Sequence, residues 1–312
     1  MSLLGPVLAI VGPTASGKSA LADAVASRLD TSVISVDAMQ VYRGMDIGTA
    51  KTPAEERPVM LEMVDVCDVA DDYSVSLFQQ DARSCVDRAL ASNKIPVLCG
   101  GTGLYLNAVI DRMEFPSGEK GDTNRSKYEA LAVELGPQGL YRLLEDRDPR
   151  SAGLIHPNNV RRVIRALEML DEGVSYAEHH EGLHQRAPYY EATICGISMN
   201  RERLYERIEQ RVDSMFKQGL VEEVQGLLEH GLRRESTAGQ AIGYKELIDY
   251  FDGVCTLEEA ADQIKIRTRH YAKRQISWFK RDGRVTWLDM DSLSLDDSVK
   301  RVCDSIHQGL EA

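Results

Sequence analysis

The residues at positions 12 to 19, GPTASGKS, have the types and the spacing of a phosphate-binding loop. Gly12 and Gly17 let the backbone turn tightly and point several N–H groups toward one anion. Lys18 adds a mobile positive charge, and the Ser19 hydroxyl is an oxygen ligand of the kind that Mg²⁺ accepts. These features predict that the loop binds a phosphate or a diphosphate, but they leave the reaction open. The predicted ligand-binding residues are Gly12, Pro13, Thr14, Ala15, Ser16, Gly17, Lys18 and Ser19.

The segments on either side of this loop predict the strand and the helix that it requires. An apolar run from Val7 to Val11 precedes the loop and predicts a buried strand. Leu21, Val25 and Leu29 follow at helical spacing. The helix is therefore expected to start at the loop and to add its positive end to the anion site.

Two further predicted strands end in residues that suit the same site. The strand at 31–36 ends at Asp37, and the strand at 95–99 enters a Gly-Gly-Thr-Gly turn that contains Thr102. In a parallel α/β sheet, residues just past the strand ends line the ligand crevice, so Asp37 and Thr102 are expected to face Lys18. The alternatives are an Asp37 that only caps the next segment and a glycine turn that only permits close packing.

The order of the predicted elements indicates the fold. Predicted strands lie at 7–11, 31–36, 95–99, 192–197 and 285–288. Helical patterns separate them, which predicts an α/β fold with a parallel sheet flanked by helices, similar to that of P-loop NTPases. A helical stretch without a strand follows the third strand. The predicted domains are a core at 1–115, a helical insertion at 116–190 and the second part of the core at 191–312, with basic C-terminal helices.

Three groups of basic residues could contact an anion or a nucleic acid. They are the arginines at 203, 207 and 211 on one face of a helix predicted over 201–228, those at 161, 162 and 165, and the eight Lys or Arg residues within 264–284. In the last group Tyr271, Trp278 and Phe279 are interleaved with the cations, a pattern that suits RNA. For each group the alternative is a solvated basic face, with any aromatic residues in the core.

Composition limits the class of protein. The chain has 312 residues, of which 43% are hydrophobic and 28% charged, as in a soluble globular protein. No apolar run is long enough to span a membrane. The net charge of −12 argues against a uniformly basic nucleic-acid surface. The six cysteines show no CxxC spacing and predict reduced thiols in the cytoplasm. His179, His180 and His184 are interpreted as solvated residues, with metal binding as the alternative.

Six blocks of sequence, taken together, resemble the bacterial tRNA dimethylallyltransferases. They are GPTASGKS at 12–19, SVDAMQVYRGMDIGTAK at 35–51, GGTGLY at 100–105, NNVRRVIRALE at 158–168, IGYKE at 242–246 and AKRQISWFKR at 272–281. The blocks span nearly the whole chain in the order of the family. The resemblance implies transfer of a dimethylallyl group from dimethylallyl diphosphate to N6 of the adenosine just 3′ of the anticodon, in tRNAs that read codons beginning with U. Diphosphate is released, so the phosphate loop would hold a leaving group.

The resemblance also implies roles for individual residues. Asp37 matches a general base or an orienting acceptor for the adenine amine, and Lys18 stabilises the departing diphosphate. Thr102 matches a residue near the diphosphate, and Arg211, with Arg207 as the second candidate, matches an arginine that clamps it. Ser19 matches the hydroxyl that binds Mg²⁺, the implied cofactor. The implied tRNA-binding residues are Asp37, Ala38, Met39, Gln40, Gly103, Arg125, Arg161, Arg162, Val163, Ile164 and Arg165. The protein is expected to act as a monomer, with no membrane partner.

Two other classes share parts of the pattern. A P-loop kinase for a small metabolite would use the same loop and an Asp after the second strand, but it would consume ATP and would not need the basic helix. A nucleotide-dependent RNA-binding switch would bind tRNA without turnover. The chain lacks the Asn-Lys-x-Asp element of a GTPase.

Overall fold

The computed structural model describes residues 4–115, 123–184 and 187–310. The chain forms two compact units. The first comprises Met1–Asp111 and Pro188–Ala312, and the second comprises Arg112–Ala187. Most of the segment 116–125, which reads as a polar linker, lies outside the described residues.

The first unit contains a parallel sheet, which confirms the predicted fold class. The strands of the described residues are β1 (Leu4–Val11), β2 (Val33–Ser35), β3 (Leu61–Glu62), β4 (Val97–Gly100), β5 (Tyr190–Ser198) and β6 (Val285–Asp289). Their spatial order is β3-β2-β4-β1-β5-β6, and all neighbours are parallel. Because β4 lies between β2 and β1, the carboxyl ends of these three strands meet at one edge of the sheet.

Helices connect the strands. In chain order the described helices are α1 (Lys18–Arg28), α2 (Val75–Ala91), α3 (Gly103–Ile110), α4 (Thr123–Arg147), α5 (Pro149–Ala152), α6 (Val160–Asp171), α7 (Tyr176–His184), α8 (Arg201–Gln218), α9 (Leu220–Glu229), α10 (Tyr244–Phe251), α11 (Leu257–Phe279) and α12 (Leu295–Leu310). Side-chain caps start several of them. Ser74 accepts from the Leu77 amide at the start of α2, and Thr256 forms a capping box with Glu259 at the start of α11.

Two elements differ from the sequence-based expectation. The segment at 53–69 mixes apolar, charged and polar residues without a clear pattern, so this two-residue edge strand, paired with β2, was not predicted. The prediction of a single helix over 201–228 was wrong. Gly219 adopts a left-handed conformation with φ of 100° and separates α8 from α9. Glycine takes this conformation without the steric penalty of a Cβ atom, and it lets the chain turn between two helices.

The sheet is buried on both faces, as parallel sheets are. Along β1, Leu8 and Ile10 point to the face covered by α1 and α12, whereas Val7, Ala9 and Val11 point to the other face. The core on the face of Val7, Ala9 and Val11 also contains buried residues of α2, α3, α9, α10 and α11. Among the described residues, no helix is both long and apolar enough to cross a membrane.

The second unit is helical in its described part and has a core of its own. Tyr128 and Leu144 of α4 pack with Val163 and Leu167 of α6. The backbone of α4 is interrupted at Gly136, which has φ of 67° and ψ of 173°. Asp171 at the end of α6 accepts from the Tyr128 hydroxyl at 2.7 Å, which joins the two helices at a polar edge.

Candidate active site

Three loops at the carboxyl edge of the sheet form one cavity. They follow β1, β2 and β4, and the cavity has a volume of about 320 Å³. We call it the polar cavity, and its lining includes Lys18, Ser19, Asp37, Gln40, Gly100, Arg207, Arg211, Tyr271 and Gln275. Asp37 and Lys18 therefore line the same crevice, the place that the strand ends predict for them.

The backbone of the phosphate loop, residues 12–19, has an unusual conformation. Ala15 and Gly17 have φ values of 64° and 95°, and Gly17 precedes the first residue of α1. A left-handed alanine costs on the order of 1 kcal/mol, so other contacts must hold the loop in this shape. Two arginines of α8 provide such contacts. The Arg207 Nε donates to the Ala15 carbonyl at 2.7 Å, and the Arg211 Nη1 donates to the Thr14 hydroxyl at 3.2 Å.

The third arginine of this helix face behaves differently. Helical spacing places Arg203 in line with Arg207 and Arg211. The structure instead pairs the Arg203 guanidinium with the Asp291 carboxylate at 2.7 Å, away from the phosphate loop. Arg207 and Arg211 therefore line the polar cavity, whereas Arg203 forms an ion pair outside it.

Several positive charges face the polar cavity. Burial is the main cause that lowers the pKa of Lys18, and the nearby charge of Arg211 lowers it further, whereas the Asp37 carboxylate opposes the shift. Burial and the adjacent Arg207 also lower the pKa of Arg211. Both shifts report cations held close together in a poorly solvated site. A polyanion bound there would offset this repulsion, so the electrostatics favour a diphosphate over a neutral ligand.

Gln275 of α11 joins the two glycine-rich loops, and sequence reasoning missed it. Its Oε1 accepts from the Thr14 amide at 2.8 Å, and its Nε2 donates to the Gly101 carbonyl at 3.0 Å. A Cβ atom on Gly101 would lie 2.0 Å from that nitrogen, so glycine is required for this approach. Gln275 is 4% exposed. It lies within the AKRQISWFKR block, where an uncharged polar residue among cations was the available indication.

Asp37 lies where the polar cavity meets a second cavity. Its Oδ1 accepts from the Met39 amide at 2.9 Å, which fixes the carboxylate in a local turn. The Thr102 hydroxyl accepts from the Ala38 amide at 3.3 Å and lies 3.5 Å from the Tyr271 hydroxyl. Burial, followed by the charge of Asp37, raises the pKa of Tyr271 to about 12, so this phenol keeps its proton at neutral pH.

The second cavity has a volume of about 390 Å³ and is mainly apolar. We call it the apolar cavity, and Val212, Met215, Ile242 and Ile264 are among its lining residues. It shares Thr14, Asp37, Thr49, Arg211 and Tyr271 with the polar cavity. A ligand could therefore place a charged group among the cations and an apolar group next to it, with Asp37 beside the junction.

The residues that the resemblance associates with tRNA occupy different environments. Ala38 and Met39 line the apolar cavity, and Gln40 lines the polar cavity. Gly103 lies under Trp278, since a Cβ atom there would be 2.0 Å from the indole Cδ1.

In the second unit, Val163 and Ile164 are buried core residues, whereas Arg161 and Arg162 are exposed. Arg165 pairs with the buried Glu168 at 3.4 Å. Arg125 pairs with Glu129 at 3.3 Å and lies 3.7 Å from Glu168. The His179 Nε2 lies 3.0 Å from the Glu114 carbonyl oxygen, and the side chain of His184 lies outside the described residues.

Mg²⁺ is compatible with the oxygen atoms that line the polar cavity. Ser19, which carries a hydroxyl, and Asp37, which carries a carboxylate, both line it. Within the described ranges, no group of three or more His, Cys, Asp or Glu residues forms a dedicated metal site. Mg²⁺ is commonly bound by one or two protein oxygens together with phosphate and water, so this donor set fits that ion.

Comparison with known proteins identifies the family. The family described as "IPP transferase" matches residues 40–282, and that described as "Isopentenyl transferase" matches residues 5–60. The tRNA dimethylallyltransferase of Carboxydothermus hydrogenoformans is 44% identical over 298 residues, which are 95% of this chain and 96% of the relative.

Solved structures agree with the sequence matches. The full-length tRNA isopentenylpyrophosphate transferase of Bacillus halodurans is 42% identical and has a TM-score of 0.72, with 98% of this chain and 96% of that one covered. A eukaryotic dimethylallyltransferase acting on tRNA is 27% identical, with a TM-score of 0.78 and coverage of 97% and 79%. The chain therefore belongs to the tRNA dimethylallyltransferase family.

Proposed function

We propose that this protein transfers the dimethylallyl group of dimethylallyl diphosphate to N6 of the adenosine just 3′ of the anticodon, in tRNAs that read codons beginning with U. The observation that carries the proposal is the junction of a cationic cavity with an apolar one, with Asp37 lining both. A prenyl diphosphate has the matching division into a charged and an apolar part. A phosphoryl acceptor that is a small polar metabolite would have no use for the apolar cavity.

The diphosphate group binds in the polar cavity in this account. Lys18 and the amides of the phosphate loop neutralise the negative charge that builds on the leaving group as the C–O bond breaks. Arg211, which lines both cavities, clamps the diphosphate from the α8 side, and Arg207 supports the loop through the Ala15 carbonyl. Ser19 would hold Mg²⁺ through its hydroxyl, and the ion would supply further positive charge beside the leaving group.

The dimethylallyl group and the adenine meet at the apolar cavity. The adenine has to leave its stack in the anticodon loop to reach a buried donor, as in other enzymes that act on bases. Its amine is weakly basic, so removal of a proton as the C–N bond forms lowers the barrier, and Asp37 accepts this proton. Thr102, whose hydroxyl holds the Ala38 amide, keeps the segment after Asp37 in place.

The test of this function measures which reactant is consumed. With the purified protein, dimethylallyl diphosphate and a substrate tRNA, we expect release of diphosphate that requires both substrates. ATP should not be hydrolysed under the same conditions. ATP turnover that is independent of tRNA, without any diphosphate release from the prenyl donor, would instead support a kinase and contradict the proposal.

A second prediction concerns the arginines of α6. We propose that Arg161, Arg162 and Arg165 contact tRNA phosphates. Two of them are exposed, and all three lie near the N-terminus of α6. Replacing all three by glutamine should weaken tRNA binding and reduce the slope of log K against log salt by roughly 2–3. The affinity for the prenyl donor should not change, because these residues are absent from the lining of both described cavities.

The control separates binding from folding. Arg165 pairs with the buried Glu168, so its loss alone can destabilise the second unit. The Arg161→Gln/Arg162→Gln variant keeps that ion pair, and Arg142→Gln removes another exposed arginine of the same unit. An unchanged salt slope in the double variant would show that these arginines are a solvated face.

A further inference from the structure

The segment between Gly44 and Thr52 passes beside both cavities. One carboxylate, which lines neither cavity, accepts hydrogen bonds from its backbone. Glu223 of α9 accepts three consecutive backbone amides of this segment. The Asp46 and Ile47 amides donate to its Oε2 at 3.0 and 2.7 Å, and the Gly48 amide donates to its Oε1 at 3.2 Å. The Tyr244 hydroxyl donates to the same Oε1 at 2.6 Å. A carboxylate with four donors is strongly organised, since charge-assisted hydrogen bonds are about twice as strong as neutral ones.

The packing beneath the segment is equally specific. Tyr244 at the start of α10 is fully buried, and its ring lies under Gly48. A Cβ atom at position 48 would lie 2.5 Å from the Tyr244 Cε2 atom, so only glycine allows this contact. Burial, followed by the charge of Glu223, raises the pKa of Tyr244, which keeps its hydroxyl available as a donor.

The far end of the segment has a separate anchor. Lys51 is 9% exposed, and its Nζ donates to the Tyr42 carbonyl at 2.6 Å. The same ammonium pairs with Asp46 at 2.9 Å and with Asp65 at 2.6 Å. The segment is thus fixed by an ammonium at one end and by the Glu223 carboxylate in its middle.

The fixed segment contributes Thr49 to both cavities. The Thr49 carbonyl accepts from the Gln40 Nε2 at 3.2 Å, and the Gln40 Oε1 accepts from the Ser35 hydroxyl at 2.8 Å. These contacts connect the segment to the strand end that carries Asp37. Among the described residues that line the two cavities, Glu223 is absent. Its effect on the site therefore passes through the backbone of residues 46–49.

We propose that Glu223 is a positioning residue for prenyl transfer: it holds residues 46–49 in the shape that places Thr49 at the junction of the two cavities, against the prenyl group and the adenine, with the Thr49 carbonyl bonded to Gln40. This inference rests on the proposed function for the identity of the ligands. It also assigns a role to the IGYKE block, because Tyr244 donates to Glu223 and packs under Gly48. Gly48 has a role as well, because only glycine allows that packing.

The test compares Glu223→Gln with Glu222→Gln. Both changes remove one negative charge from α9, but Glu222 is exposed and has no described hydrogen bond to the segment. Glutamine keeps one carbonyl oxygen and replaces the other with an NH₂ group that cannot accept a hydrogen bond. In Glu223→Gln at least one amide of residues 46–48 should therefore lose its acceptor and exchange with solvent at least about tenfold faster. The kcat/KM for tRNA should fall about 10- to 100-fold, while the Kd for diphosphate stays within about twofold. Glu222→Gln should match the wild type in all three measurements.

A second variant covers the case in which Glu223→Gln does not fold. Tyr244→Phe removes one donor to Glu223 and keeps the ring under Gly48, so it should speed exchange of the same amides by a smaller factor and leave β1 amides unchanged. Equal exchange of residues 46–48 in the variants and in the wild type would overturn the proposal, as would an unchanged kcat/KM. If the wild type modified no tRNA, the proposed function would fail, and the exchange rates would still decide whether Glu223 fixes the segment.

Discussion

Asp37→Asn is expected to give a folded protein whose rate of prenyl transfer is about 10²–10⁴-fold lower, the usual range for loss of a general base. Asparagine keeps the size of the side chain, and its oxygen can still accept the Met39 amide that Asp37 accepts at 2.9 Å. It cannot take a proton from the adenine amine. Single-turnover kinetics at saturating donor and tRNA would measure the loss directly.

The comparison for this variant is Asp23→Asn. Asp23 also lines the polar cavity, but it does not line the apolar cavity where the adenine is proposed to bind. Its replacement should change the binding of the diphosphate more than the rate at saturation. A loss in Asp37→Asn that is confined to KM would make Asp37 a positioning residue. A fully active Asp37→Asn protein would contradict its role as base, and the diphosphate itself would become the candidate proton acceptor.

Lys18→Ala is expected to lower kcat about a hundredfold, because about 3 kcal/mol of transition-state stabilisation is lost. The ammonium lies in a site where burial lowers its pKa, so its charge acts in a medium of low polarity and is poorly replaced by water. Steady-state rates with saturating dimethylallyl diphosphate and tRNA provide the measurement.

Arg203→Ala is a suitable control for the loss of Lys18. It also removes one cation from the first unit, but Arg203 pairs with Asp291 and lines neither described cavity at the phosphate loop. We expect it to keep nearly full activity. If Lys18→Ala kept a near-normal kcat, the phosphate loop would have no part in the chemical step.

The parts of the site that were predictable from sequence depend on local patterns. The phosphate loop has a fixed spacing, and Asp37 and Thr102 directly follow apolar runs that read as buried strands. Once the sheet is parallel, strand ends must meet at one edge. These rules place Lys18 and Asp37 beside one cavity without any knowledge of side-chain packing. Thr102 was expected to face Lys18 as well, but it lines the apolar cavity with Asp37 and does not line the polar cavity.

The parts that were missed depend on contacts between distant residues. Gln275 bonds to Thr14 across 261 positions, and Glu223 bonds to Gly48 across 175. Helical spacing alone treats Arg203, Arg207 and Arg211 as equivalent, and only the location of Asp291 separates the first from the others. The edge strand β3 is defined by its pairing with β2. A two-residue segment is too short for its periodicity to predict such a strand.

We propose that a dimethylallyl group is transferred to one adenosine of tRNA at the junction of the two cavities. The most direct measurement is mass spectrometry of nuclease digests of a substrate tRNA after incubation with the protein and dimethylallyl diphosphate. We predict that the mass of one dimethylallyl group appears on the anticodon-loop fragment, on the adenosine 3′ to the anticodon, and is absent when this adenosine is replaced by guanosine. A tRNA that stays unmodified after incubation with folded protein and donor, or a dimethylallyl group attached to another nucleotide, would contradict the proposal.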